Sequence, residues 1–522
     1  MAVSVMAVCL VVCWGCSGQS QQRRPGYLYA RLKTNPVTLD PALIVDLDSA
    51  RLAAKLFNGL VRFDETLQPV PDLAASWTIS EDGRVYTFVL KRGLRFCNGR
   101  EVTASDVVYS FERVLHPATR SPRTWVLSRI RGTRAFREGR TEHVAGLRLN
   151  GPFRLEVELE EPFAPFICML GLTTAYIVPR EEVGRWGVDF GRRAGGTGPF
   201  RLAVWQQDQH VVLEANPFYC GDKPLLDGIW YRIIPEDFTA IVEFEKGGLD
   251  LLPELQPAYY SRFARDPLWA GRITASAGLN TYYIGLNCQL PPFDDVRVRR
   301  AVNYAVDREK IVASLLEGRG QVARGPLPPL LRQQPVSTVY GYDPEKARTL
   351  LREAGYAGGL TISLYQTADQ ETLDICQVIQ EYLRQVGIEV DIVQLEWSTF
   401  LDVVARGEAQ AFWLSWWADY PDAENFLLPT FHSMNIGPGG NRSRYADPVT
   451  DDLIVRAMAA PEERRRELYG EIENRVVGAA PWVYCWHKSV SSIHQPYVKG
   501  YRPRPLAVMD TWTKISIKKQ ED

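Results

Sequence analysis

The sequence predicts an α/β protein of two or more lobes, on three observations. At 522 residues the chain exceeds what one hydrophobic core ordinarily organises, so lobes of roughly 100 to 250 residues are expected. Strand and helix signals alternate along it, which excludes an all-helical or all-β body. Composition is that of a folded globular protein, 46% hydrophobic and 23% charged with no block of like charges, which excludes a disordered chain or a membrane bundle.

Met1 to Gly15 carry no charge and include the apolar run Val8 to Trp14, too short to span a bilayer and of signal-peptide length. Two hairpins follow. Thr78-Ile79 and Arg84 to Leu90 flank Glu81-Asp82-Gly83, and Leu147 to Leu149 and Phe153 to Leu159 flank Asn150-Gly151. In the second, Phe153, Leu155, Val157 and Leu159 share one face.

Between the hairpins, Thr103 followed by Asp106 predicts a variant capping box opening a helix with Val107, Phe111 and Val114. Pro- and Gly-rich breaks fall at Gly195 to Pro199 and at Gly325 to Pro329, the second expected to be an exposed loop. Asp343-Pro344 supplies an N-cap and a first-turn proline, and Gly355 ends that helix. Leu373, Cys376, Ile379, Leu383 and Val386 form one helical face ended by Gly387, and Ile388 to Ile392 alternate as a strand. That order is half of a βαβ unit.

Motifs for chemistry are mostly absent. A formal charge of −2 supplies no field for nucleic acid. The chain has none of the phosphate-loop, dinucleotide, zinc-protease or serine-hydrolase signatures. Its six histidines lack ligand spacing, and neither a metal nor another cofactor is expected. Asp419, Asp422 and Glu424 leave open a glycosidase-like acid and base pair. The body cysteines Cys97, Cys168, Cys220, Cys288, Cys376 and Cys485 have no metal or redox spacing. Buried free thiols are the preferred reading, although export would permit disulfides. The 14 Trp, 23 Tyr and 20 Phe are enough to wall a ligand cleft as well as fill a core.

Several motifs recur in a fixed order. They include Thr38-Leu39-Asp40-Pro41, Leu56-Phe57-Asn58-Gly59-Leu60, Leu73-Ala74-Ala75-Ser76-Trp77 through Asn98-Gly99, Gly196-Thr197-Gly198-Pro199-Phe200, Tyr282 to Asn287, Pro291 to Arg299, Tyr342-Asp343-Pro344 and Trp416-Trp417-Ala418-Asp419-Tyr420. On these, the chain from about Leu28 to Trp512 resembles family 5 of the extracytoplasmic solute-binding proteins, the peptide- and nickel-binding receptors of ABC importers, and most closely its oligopeptide-binding members.

The resemblance implies a class II flytrap fold of two lobes. Lobe I would comprise 28–57, 185–279 and 488–522, with an extra α+β subdomain at 58–184, and lobe II 280–487. Residues 1–15 would be a lipoprotein signal peptide, Cys16 the lipidated residue and 16–27 a tether. The implied protein is a monomeric, non-enzymatic receptor outside the cytoplasmic membrane, anchored there by lipid and handing short peptides to the permease subunits. The same scaffold serves nickel complexes or oligosaccharides in other receptors, which stands as the alternative.

At the site, Asp419 matches the aspartate that pairs with a peptide's α-ammonium. Trp416, Trp417 and Ala418 match residues lending backbone groups to the ligand, as do Val45 and Leu47 on the opposite lobe, and Arg123 lies near a pocket-lining position. The basic residues that relatives use for the peptide carboxylate align with Leu316, Glu371, Val404 and Trp413. None of these is basic. A cysteine pair of such relatives aligns with Asn280 and Trp417, so that disulfide is absent.

Overall fold

The computed structural model describes residues 23–193 and 195–518. The leader, Cys16 and the tether up to residue 22 lie outside them. Among the described residues no helix is long and apolar enough to cross a membrane.

One long strand, Trp482–His494, organises the molecule. Its first half pairs antiparallel with Asn280–Leu286 and Gly320–Val322, and its second half with Ile273–Ala277 and Leu251–Leu252. Beyond Asn280–Leu286 the sheet continues through Ala411–Trp417 and Leu360–Thr367 to Ile388–Leu395. Beyond Leu251–Leu252 it continues through Tyr27–Leu32, Gly228–Ile233 and His210–Ala215 to Phe200–Gln206. Each side has its own apolar core, one around Ile284, Val298 and Ile379 and the other around Leu28, Leu52 and Ile229. The run Trp482 to Trp486 is wholly buried, as befits a strand covered on both faces.

The crossing between the two sides lies where Ala277 pairs with Ser489 and Tyr282 with Trp486. Asn280, fully buried, bridges the irregularity by donating its amide to the Lys488 carbonyl at 2.9 Å and accepting from the Lys488 N–H at 2.7 Å. A side chain thus replaces one rung of the ladder. Gly278 must be glycine here, because a Cβ would fall 2.0 Å from the Asn280 amide nitrogen.

Most local expectations hold. Ala74–Ile79 pairs with Val85–Leu90 and Leu147–Leu149 with Arg154–Glu158, in one four-stranded sheet. Leu155, Val157 and Leu159 are buried, with Phe153 partly so. The helix Ala104–Leu115 begins at Thr103, whose N–H donates to the Asp106 carboxylate at 2.9 Å. The helix Pro344–Glu353 begins on Asp343, which accepts from the Lys346 N–H. Leu360–Thr367, the helix Gln370–Arg384 and Ile388–Leu395 form a βαβ unit with parallel, in-register strands. The helix buries Ile375, Cys376, Ile379 and Leu383.

Gly325 to Pro329 differs from expectation, since Gly325 to Pro328 are buried rather than exposed. The Pro326 carbonyl accepts from Thr281 Oγ1 at 2.7 Å, and the Leu327 N–H and Arg332 both reach the buried Glu473. Polar groups elsewhere in the chain satisfy this backbone, which removes the usual reason for a loop to stay at the surface. The six cysteines among the described residues are free thiols, but burial holds only for Cys168, Cys376 and Cys485; Cys97 and Cys288 are half-buried and Cys220 is exposed.

The apolar core of the four-stranded sheet runs on into residues 323–484, and the Ala164 N–H donates to the Met458 carbonyl at 2.8 Å. Residues 121–125 also meet the loop after Ala411–Trp417.

Candidate functional site

The strand Ala411–Trp417 begins in the core and ends in the open. Ala411 to Leu414 are buried, Ser415 and Trp416 partly so, and Trp417 is 47% exposed. Its register against Asn280–Leu286 places Trp417 opposite Asn280 and Ser415 opposite Tyr282. The two positions aligned above with a cysteine pair are thus cross-strand neighbours, occupied by an amide and an indole.

Because the Ala418 N–H donates to the Leu279 carbonyl at 2.9 Å, antiparallel alternation directs the backbone of Trp416 and Ala418 toward that neighbour. Ser415 and Trp417 then face the opposite edge. On that edge Leu360–Thr367 pairs only at Ala411 and Phe412. Of the three residues expected to lend backbone groups to a ligand, Trp416 turns its groups inward, Trp417 turns them outward, and Ala418 commits its N–H to Leu279.

The loop after the strand is held from behind. Trp416 Nε1 donates to the Asn425 carbonyl at 2.7 Å, and the Asp419 N–H donates to Asn425 Oδ1 at 2.8 Å. Tyr420 donates its hydroxyl to Glu424, and Tyr469 donates to Asp422 at 2.7 Å. Asp422 and Glu424 are buried. Burial, reinforced by the Asp422 charge and only partly offset by the Tyr420 hydroxyl, pushes the Glu424 carboxyl up to about 7. The acidic loop therefore splits, with two carboxylates in the interior and the Asp419 side chain 41% exposed. A glycosidase pair needs both carboxyls to face one bond, which this arrangement does not provide. Among the described residues no cluster of His, Cys, Asp and Glu could hold a metal ion.

Asp419 Oδ1 accepts from Arg123 Nη1 at 3.1 Å, and Trp125 packs on Tyr420 with ring centroids 6.1 Å apart. The same segment also reaches the chain just before the helix Leu47–Leu56, since Ser121 Oγ donates to the Ala42 carbonyl at 2.6 Å. A few residues beyond Ala42, Val45 and Leu47 stand 54% and 52% exposed on either side of Asp46, which caps the helix Leu47–Leu56. Arg123, Trp416 to Asp419 and the Ala42 segment are thus joined in space. Val45 and Leu47 present exposed apolar surface a few residues further along the chain from Ala42.

Of the residues aligned with carboxylate-binding positions, Leu316, Val404 and Trp413 are buried in the core. Glu371 is exposed and pairs with Lys488 Nζ at 2.9 Å. Tyr282 lies beneath, its ring 5.6 Å from that ammonium and edge-on to Trp417 at 6.4 Å. Burial, followed by the charges of Glu371 and Glu254, pushes the Tyr282 hydroxyl up to about 12. Nothing in the sequence placed Lys488 beside Tyr282 and Glu371, since only the pairing of Trp482–His494 brings it here.

Two sheets joined by a crossing strand, with exposed aromatic and charged side chains between segments distant in sequence, define a two-lobed solute-binding fold. The chain belongs to the bacterial extracellular solute-binding proteins, family 5, whose model matches residues 68–438. It is 30% identical over 533 residues to the dipeptide-binding protein of Escherichia coli (strain K12), covering 97% of this chain and 94% of that one. It is also 30% identical to heme-binding protein A of Haemophilus influenzae, over 94% of this chain and 92% of that one. An ABC transporter-associated periplasmic binding protein, DppA, from Helicobacter pylori in complex with the peptide STSA superimposes with a TM-score of 0.74 at 28% identity, over 94% and 98% of the two chains.

Proposed function

We propose that this protein captures short peptides outside the cytoplasmic membrane and delivers them to the permease subunits of an ABC importer. The observation that carries this reading is the end of Ala411–Trp417, where outward-directed backbone at Ser415 and Trp417 runs directly into Asp419. A peptide can add to such an edge as an extra strand, which gives affinity through its main chain and little dependence on its sequence. Its α-ammonium then lies at Asp419. A cation covered by lobe closure needs a carboxylate, because leaving it unpaired costs several kcal/mol. Val45 and Leu47 line the facing side, and Arg123 is the resident counter-ion of Asp419.

In this reading 28–57, 185–279 and 488–522, with the extra subdomain 58–184, move as one lobe against 280–487, about the crossings near Gly278 and Lys488. Ligand that binds the closed arrangement better drives closure. The protein acts as a monomer and as a receptor rather than an enzyme, held at the membrane through Cys16.

Native mass spectrometry of the purified protein tests the ligand class. A co-purified mixture of tri- to pentapeptides is expected, whereas a single sugar or a metal chelate overturns the proposal.

A further inference from the structure

We infer that Lys488 forms the cationic end of the ligand site and receives the carboxylate of a peptide whose amine sits on Asp419. This deepens the peptide reading above and rests on it. Trp417 and Asn280 are register partners, and the Asn280 amide closes on the backbone of Lys488 from the other side. The three residues therefore stand in a row across three strands. With about 4.8 Å between strands and about 3.4 Å per residue along them, Lys488 lies roughly 10 Å from Trp417 and roughly 12 Å from Asp419 at the backbone. The Lys488 side chain reaches back from there, over Tyr282 to Glu371.

The side chains continue the row. The Lys488 ammonium lies over Tyr282, and the Tyr282 ring abuts the exposed Trp417, two residues before Asp419. An aromatic wall thus runs from a fixed carboxylate to a fixed ammonium, matching the two ends of a zwitterion. The Lys488 side chain is 19% exposed and Glu371 44%, so the ammonium is held in place while its partner remains in contact with water. Such a pair is weak and open to competition. A lysine ammonium has three donors, so a ligand carboxylate can join Glu371 without expelling it.

Calorimetric titration of the full chain with trialanine and tetraalanine, each as free acid and as C-terminal amide, tests this. Wild type is expected to prefer the acids by about tenfold to a hundredfold, the range of a charge-assisted hydrogen bond. Lys488→Gln should abolish that preference while leaving amide binding in place. Glu371→Gln breaks the same intramolecular pair and should retain the preference. Persistent preference in Lys488→Gln, or equal loss of acid and amide in both variants, overturns the assignment and marks the pair as a structural tie. Failure of wild type to bind any of the four peptides instead removes the peptide reading, and this subsite with it.

Discussion

Arg123 Nη1 donates to Asp419 Oδ1 at 3.1 Å across 296 residues of sequence, so the carboxylate assigned to a ligand ammonium already holds a cation. Both side chains are partly exposed, at 29% and 41%, and a pair of that kind contributes at most about 1 kcal/mol. In the proposed reading the arginine neutralises the carboxylate until a ligand ammonium displaces it. Arg123→Ala should leave the melting temperature almost unchanged and tighten free-amine tripeptides by up to about fivefold in calorimetry. Weaker binding would show instead that the guanidinium touches the ligand.

Asp419→Asn removes the charge and keeps the shape. Free-amine peptides should bind about tenfold to a hundredfold more weakly, the range of a charge-assisted hydrogen bond, while N-acetylated peptides change little. Equal weakening of both would strip Asp419 of its role at the amine.

Behind Asp419, the buried Glu424 predicts a pH dependence of stability. Burial and then the Asp422 charge raise its folded-state pKa to about 7, against about 4.3 for an unperturbed glutamate. Folding therefore favours the protonated form. The associated stability is complete below the unfolded value and is lost as pH rises through about 7. Glutamine stays neutral throughout. Glu424→Gln should accordingly unfold later than wild type at pH 8, by up to about 3 kcal/mol, with the gap closing toward pH 5. A pH-independent gap in thermal melts would refute this account of the buried carboxyl.

The crossing between the two sheets depends on Asn280, which satisfies both backbone groups of Lys488. Asn280→Ala leaves those groups without their partner in a buried place and should cost about 2 to 4 kcal/mol. Gly278→Ala, whose Cβ would meet the same amide at 2.0 Å, should destabilise comparably. The two losses should not add in the double variant, because each breaks the same clamp. Denaturant titrations that gave additive losses would contradict this.

Much of the fold was legible because its signals are local. The hairpins around Asp82 and Gly151, the Thr103–Asp106 cap and the helix closed at Gly387 depend on residues only a few positions apart. The loop at Gly325 misled because proline and glycine report backbone shape rather than depth. Glu473 and Thr281, which make its burial possible, are distant in sequence. At the site, the ordered motifs singled out Asp419, and nothing in the run Trp416 to Ala418 indicated which backbone groups were already taken.

The amino-acid sequence by itself determined the element types, the two-lobed class and the acid at the end of an aromatic strand. Each follows from periodicity, capping or an ordered set of short motifs. Tertiary structure decided that Trp417 turns its backbone outward while Trp416 turns inward, that Arg123 pairs with Asp419 and that Lys488 stands beside Tyr282. These relations depend on strand register, where a shift of one residue exchanges the two faces, and on closing chain segments hundreds of residues long.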